Sequence, residues 1–458
     1  MPMSLSKFES MLKTNSVYFF DSLEFEEIIH YYLDNGKHSL AKKAVQLGLE
    51  QHPTSVVLKL LRVELLIFDD ELQKASQLLA ELEAVEPNNE EAFIQKATIY
   101  SKRNKHIEAI ATLTKALPFI EDPADIWSMI GMEYLYLDDF TNARKNFANC
   151  IDVDFEDYSS LYNIVYCFDM ENNHEEAIQY LHTYLDKNPY CEVAWHQLGR
   201  QFFVLNRFEE ALKAFDYAVL IDENFIGGYL EKAKTLEELE RYEEAVGNYL
   251  ITLELDDPTA FAYVRIGECY EKMQEFHKAT QFYKKAVHED PLLDKAWVLL
   301  TKMYQKEGDY QKASYYISKA LQIDDSNPLY WRSYAEINLK LNFYEEVIKA
   351  FYTCIELGDV SLEIYVGLSD VLLFLGEFKE ALKVLVKAKN IFKQFAEIEY
   401  RLCGLFMLDG KETYSLLHLK NALAINSEHR NVLKELYPTV YELENIQTVI
   451  ESYLKATE

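Results

Sequence analysis

The sequence predicts an all-α protein, a solenoid of antiparallel helix pairs repeated along almost its whole length. Three observations carry this. First, stepping by 34 from Ala41 meets Ala75, Ala109, Ala143, Ala177, Ala211, Ala245, Ala279, Ala313, Val347, Ala381, Ser415 and Val449, ten alanines in thirteen places with no break in register. Second, within each 34-residue unit, apolar positions 4, 7, 8 and 11 mark one helical stripe, and positions 17, 20, 24 and 27 mark a second. Third, Gly (14) and Pro (10) make only 24 of 458 residues, about 5% against roughly 12% in ordinary proteins, too few to punctuate an all-β fold. Length alone suggests about three domains; the period replaces these with one array, because a lone helix pair cannot bury both faces and stacked neighbours can.

The elements follow in order. Residues 1–21 fall outside the register and are expected to form a short helix or a frayed tail. Twelve full units start at 22, 56, 90, 124, 158, 192, 226, 260, 294, 328, 362 and 396, covering 22–429, and a degenerate thirteenth covers 430–458. Position 4 is mostly large (Phe25, Phe93, Trp127, Leu161, Trp195, Tyr229, Tyr263, Trp297, Trp331, Tyr365) and takes all four tryptophans of the chain. Positions 8 and 27 are mostly small, which lets helices approach closely, and the position-4 ring is expected to fill the remaining gap. Position 15 favours residues that tolerate a left-handed turn: Gly36, Asp70, Asn104, Asp138, Asn172, Asn206, Gly308, Asn342, Gly376 and Gly410. Pro53, Pro87, Pro189 and Pro291 sit after second helices, which they cannot continue. The ends depart from the pattern. Lys59 and Glu399 stand at position 4 of units 2 and 12, and Pro438 interrupts the first helix of the last unit, as in a capping repeat.

These residues resemble the tetratricopeptide repeat. Trp195, Leu198, Gly199, Phe202, Ala211, Phe215 and Ala218 stand at the family's signature spacing, and 260–293 and 294–327 match nearly as well. The resemblance covers 22–429, and long uninterrupted arrays of this kind look bacterial. It implies a right-handed superhelical solenoid that acts as a protein-interaction scaffold, with the first helices lining a concave groove. Pentatricopeptide arrays, which run at 35, read RNA and tend to be basic, fit neither the period nor the charge.

Composition bounds the function classes. The chain carries 46 Lys+Arg against 76 Asp+Glu, a net charge of −30, which argues against a broad nucleic-acid surface. Aromatics at 14% and apolar residues at 49% exclude a disordered chain. No apolar run reaches about 18 residues, so no membrane span is expected, and the first residues show no signal-peptide core, so a cytoplasmic location is expected. The six cysteines, 150, 167, 191, 269, 354 and 403, form no CxxC; Cys150 and Cys354 take position 27 and Cys403 position 8, which are packing slots. His182, Cys191 and His196 lie near one another, but Cys191 closes one unit and His196 opens the next, so no metal is expected. No catalytic or phosphate-binding motif is present. The chain is therefore read as a non-enzyme without cofactors.

Binding is the better question. In the family, exposed first-helix positions are mainly 2, 5, 9 and 12. Units 4–6 place Met132, Leu135, Tyr162, Tyr166, Asp169, His196, Arg200 and Phe203 there, and exposed aromatics beside Arg anchor peptide segments well. The alternative is that these rings only pack between helices. Units 8 and 9 offer Arg265, Lys295, Lys302 and Lys306, suited to an acidic segment or else a plain solvated face. The carboxylate clamp by which some members hold the Hsp70 or Hsp90 tail needs Lys at position 5. No full unit has it; Arg332 comes nearest, with Glu336 following. Units 4–7 (124–259) sum to −6, −4, −3 and −6, so −19 of the total −30 is local. That field favours a basic or amphipathic protein segment as partner. The competing structural role is homo-oligomeric self-association through the terminal repeats.

Overall fold

The structure is a computed structural model that describes residues 3–14, 18–255 and 259–457. Among these residues every regular element is helical. After α1 (Met3–Thr14) come pairs: α2 (Ser22–Asp34) with α3 (His38–Gln51), α4 (Val56–Phe68) with α5 (Leu72–Val85), and α6 (Glu90–Lys102) with α7 (His106–Ala116). Next are α8 (Ala124–Tyr136) with α9 (Phe140–Val153), α10 (Tyr158–Met170) with α11 (His174–Lys187), and α12 (Glu192–Val204) with α13 (Phe208–Ile221). The series continues with α14 (Ile226–Glu238), α15 (Tyr242–Leu255), α16 (Ala260–Lys272), α17 (Phe276–Glu289), α18 (Asp294–Glu307) and α19 (Tyr310–Ile323). It closes with α20 (Pro328–Lys340), α21 (Tyr344–Glu356), α22 (Leu362–Phe374), α23 (Phe378–Ile391), α24 (Ala396–Leu408) and α25 (Glu412–Ile425). The last copy is broken into α26 (Asn431–Leu436), α27 (Pro438–Tyr441) and α28 (Glu444–Thr457). The chain divides into two compact units, Met1–Thr235 and Leu236–Glu458.

The turn inside each pair is the same device throughout. The position-15 residue takes a left-handed φ, from 54° at Asn104 and Asn172 to 81° at Gly376. The next amide donates back to the position-11 carbonyl, as Asp139 to Tyr134 and Asp309 to Tyr304, which caps the first helix. Glu240 and Gln274 share this conformation, with φ of 59° and 63°, although neither residue type favours it. The surrounding pair imposes it.

Close approach explains the small residues. Every position-20 residue from Ala41 to Ser415 is fully buried. Position 8 is matched to position 24 across the pair. A methyl group placed on Gly131, Gly199 or Gly267 would stand 2.7, 2.5 or 2.3 Å from the ring of Phe147, Phe215 or Tyr283. Where position 8 is Val165 or Thr301, position 24 is Leu181 or Ile317, so the summed volume is held roughly constant. The tryptophans behave differently from the expected gap fillers. Trp195, Trp297 and Trp331 are only half-buried, and each indole N–H donates to a carbonyl of the preceding linker, Pro189, Pro291 and Asp325, at 2.9, 2.9 and 2.8 Å. The polar edge of the ring needs a partner, and the linker supplies it.

Both ends are sealed. Leu5, Phe8 and Met11 of α1 are buried against Phe20, Phe25, Ile28 and Tyr32, so the described part of 1–21 holds a packed helix. Residues 15–17 lie outside the described residues. At the other end Pro438 starts a new helix where the unit pattern would continue the old one. The break lets Tyr437 lie over Gly404, whose added methyl would stand 2.4 Å from the ring. It also shifts the last register: Ile446 and Ile450 are buried while Val449 is half-buried. Glu399 at position 4 is explained too. It is buried, accepts from His418 Nδ1 at 2.5 Å and pairs with Lys389 at 2.7 Å.

Candidate functional site

In the Met1–Thr235 unit, α8, α10 and α12 are consecutive first helices, and α10 and α12 are capped by side chains at their starts. Asp157 accepts from the Ser160 amide and caps α10; the Cys191 sulfur accepts from the Ala194 amide at 3.3 Å and caps α12. Cys191 is thereby occupied in the backbone, and burial pushes the neighbouring Cys167 thiol up to about 11, so these thiols behave as packing groups.

The sequence-predicted residues separate into two sets here. Met132, Tyr162, Tyr166 and Arg200 are exposed, the tyrosines at 42% and 48%. Leu135, Asp169, His196 and Phe203 are half-buried. Phe203 packs edge-on to Phe208 at 5.3 Å, and Leu135 packs against the core. Asp169 accepts from Gln201 Nε2 at 2.9 Å and lies 3.4 Å from His174 Nδ1. His196 sits between Phe215 and Phe225, centroids 5.7 and 5.1 Å away. Both its ring nitrogens are buried without a hydrogen-bond partner, and burial pushes its pKa down to about 4. At neutral pH it is an uncharged wall.

Position 12 is therefore mostly structural, and the exposed row runs through position 13. Tyr136, Met170 and Val204 are exposed at 61%, 49% and 54%. Helical geometry explains the difference: positions 5, 9 and 13 drift only about 40° per step, whereas position 12 is turned about 100° back toward the paired helix. The 5–9–13 spacing of apolar residues was a usable signal. Together Met132, Tyr136, Tyr162, Tyr166, Met170 and Val204 give three neighbouring helices one apolar row. They do so in a segment (124–225) with 19 acidic and 6 basic residues, net −13.

In the Leu236–Glu458 unit the corresponding face is cross-linked instead. Arg265 reaches Glu237 at 2.6 Å and Glu268 at 2.9 Å; Lys295 pairs with Glu268 at 2.8 Å and Lys306 with Glu271 at 2.7 Å. Lys302 is exposed. Tyr249 and Tyr283 reach out of the core to donate to Glu237 and Glu271 at 2.6 and 3.1 Å. The cleft beside them, about 810 Å³, is lined by Glu237, Glu238, Glu240, Glu268 and Glu271 as well as Arg265, Lys272 and Lys306. Three of the four bases expected to await an acidic segment are thus already engaged by carboxylates of this same face. Arg332, the nearest to a clamp residue, donates to Asp359 at 2.6 Å and Ser361 at 2.7 Å. No group of His, Cys, Asp or Glu among the described residues is arranged to hold a metal, and no described helix is long and apolar enough to cross a membrane.

The chain was compared with known proteins. No curated protein matches it. Among solved structures it is similar to MamA 41-end from Desulfovibrio magneticus RS-1, at 22% identity and TM-score 0.34, covering 36% of this chain and 94% of that one. It is also similar to the C-terminal part of a TPR repeat-containing protein from Cytophaga hutchinsonii, at 18% identity and TM-score 0.41, covering 52% and 97%. A third similar structure is the APC/C hetero-tetramer Cut9-Hcn1, at 13% identity and TM-score 0.34, covering 96% and 92%. Family profiles described as tetratricopeptide repeat match residues 128–190, 262–291 and 294–327. Residues 128–190, 262–291 and 294–327 are thus tetratricopeptide repeats, and the unbroken 34-residue period carries the same helix-pair plan beyond them.

Proposed function

We propose that the chain is a protein–protein interaction scaffold, and that the first-helix face of α8, α10 and α12 holds a basic, amphipathic protein segment. The carrying observation is the exposed row Met132, Tyr136, Tyr162, Tyr166, Met170 and Val204, set in a net −13 segment. Large apolar side chains exposed in contiguous rows mark interaction surfaces, and aromatic anchors supply most binding energy where they are desolvated. Arg200 adds donors at the edge of the row, for carbonyl groups of the bound segment. The acidic surroundings steer a basic partner, more strongly at low salt.

The test is affinity capture followed by mass spectrometry, repeated with Tyr162→Ala and Tyr166→Ala combined. Both side chains are exposed, so the helices should survive; recovery of the specific partner should fall about tenfold or more. Undiminished recovery by a folded variant would remove this face as the site. The self-association reading draws less support. In the broken last copy Leu433, Tyr437, Val440, Ile446 and Ile450 are already buried within their own unit, and light scattering on the full chain tests it directly.

A further inference from the structure

The second helices α17 and α19 carry charge opposite to that of the chain. They hold Lys278, Lys284, Lys285, Lys312 and Lys319 against a single acid, Glu289, in a protein of net charge −30. These lysines are braced. Lys285 Nζ stands 4.6 Å from the Phe282 centroid and 5.7 Å from that of Tyr263. Lys284 and Lys312 stand over Tyr304 at 5.6 and 5.1 Å, and Lys319 over Tyr315 at 5.5 Å. The rings support one another: Tyr304 stacks on Tyr316 at 5.2 Å, Tyr315 meets Tyr316 edge-on at 5.2 Å, and Tyr270 stacks on Phe282 at 5.5 Å. A ring under the stem holds a lysine electrostatically and leaves its outer donors to water.

Lys278 and Lys312 are neutralised by Glu275 and Asp309. Among the described residues no carboxylate forms an ion pair with Lys284, Lys285 or Lys319; Lys319 donates only to Gln322, at 3.3 Å. The first-helix face of the same repeats has spent Arg265, Lys295 and Lys306 on its own glutamates. Lys272 and Lys302 on the first helices are also exposed and form no ion pair among the described residues, but the ring-braced cations without a carboxylate partner, Lys284, Lys285 and Lys319, lie on the second-helix face.

We propose that this face of α17 and α19 is a second docking surface, for an acidic protein segment whose carboxylates meet Lys284, Lys285 and Lys319. Charge complementarity selects the occupant. Held ammonium groups lose little freedom on binding, which lowers the entropic cost of capture. A continuous phosphate strand fits worse. The linkers at the helix ends carry Glu275, Asp290, Asp309, Asp324 and Asp325, and neither helix has an arginine for bidentate phosphate contact. A short segment stays between those carboxylates; a strand with a charge on every nucleotide runs into them.

The experiment uses the full chain and fluorescence anisotropy with a labelled peptide of about twelve residues alternating Glu and Ala, beside an oligothymidylate of equal length. The peptide should bind, and weaken severalfold as salt rises past physiological strength. Lys284→Glu, Lys285→Glu and Lys319→Glu combined should weaken it about tenfold or more, and the milder Lys→Gln set by severalfold. Tyr162→Ala with Tyr166→Ala should leave it unchanged, which separates this surface from the one proposed above. Equal peptide binding by the wild type and the folded Lys→Gln protein would overturn the proposal. So would tighter binding of the oligothymidylate than of the peptide.

Discussion

Repeats 4–6 and repeats 8–9 share one backbone plan and present different chemistry on the same helical faces. Position 9 is Met132, Tyr166 and Arg200 in the first region and Glu268 and Lys302 in the second. Position 13 is Tyr136, Met170 and Val204 against Lys272 and Lys306. The first face leaves its apolar groups to water; the second ties Arg265, Lys295 and Lys306 to its own glutamates and leaves Lys272 and Lys302 exposed. The difference teaches that the packing positions fix the array and leave the outward positions free to vary. The outward chemistry is therefore written in rows that run across helices, not along the chain. Exposed ion pairs contribute little to stability singly, but Glu237 and Glu268 are partly buried beneath Arg265 (14% and 21% exposed), where such pairs resist rearrangement.

The shared plan breaks with the largest effect. Ala211 and Ala279 are both fully buried at position 20. Ala211→Trp and Ala279→Trp should each overpack a pair and cost about 3 kcal/mol or more, read from urea unfolding. A large cost in one region with none in the other would show that the two regions do not share the packing rule.

Position 5 gives the next contrast. It is His196 in repeat 6 but Val264 and Val298 in repeats 8 and 9. The folded pKa of His196, about 4, lies below its ordinary value near 6.5. The unfolded chain thus binds this proton first as pH falls. The stability involved is fully present above about pH 6.5 and is lost progressively down to about pH 4, as much as about 3 kcal/mol. His196→Val should flatten the stability profile across that window. An unchanged slope would mean that other groups carry the acid sensitivity.

The arginines sharpen the comparison with a smaller effect. Arg265→Met leaves Glu237 and Glu268 without their guanidinium and should cost about 1–3 kcal/mol. Arg200→Met removes an exposed side chain whose described bond is a 3.3 Å contact to Gln197, and should stay within about 0.5 kcal/mol. Equal melting temperatures for the two variants would dissolve the distinction between a cross-linked face and an open one.

Much of this was legible in the sequence, for reasons tied to particular residues. The helix pairs were legible because a slot such as that of Ala211 tolerates almost nothing larger, so the constraint shows at every repeat. The left-handed turns were legible at Gly308 or Asn206, where residue type follows backbone need, and invisible at Glu240 and Gln274, where the pair overrides it. The aromatic cluster was half legible. Tyr162 and Tyr166 are exposed where repeat geometry puts them, while Leu135 and Phe203 turn inward and Tyr136, Met170 and Val204 turn outward, a matter of about 100° of helix rotation that pattern reading did not resolve. The lysine lattice on α17 and α19 was illegible, since Lys284 meets Tyr304 only when two repeats stack.

By itself the sequence determined the repeat, its phase, the paired helices and the regional charge. These follow from short-range sterics and from burial that recurs every 34 residues. Only the tertiary structure decided which charges are spent and which remain. Arg265 and Lys284 belong to the same repeat and carry the same charge. One is held by Glu237 and Glu268, and the other stands over Tyr304 from the next repeat and pairs with no carboxylate among the described residues. An ion pair depends on distances between helices, and no spacing along one chain encodes those.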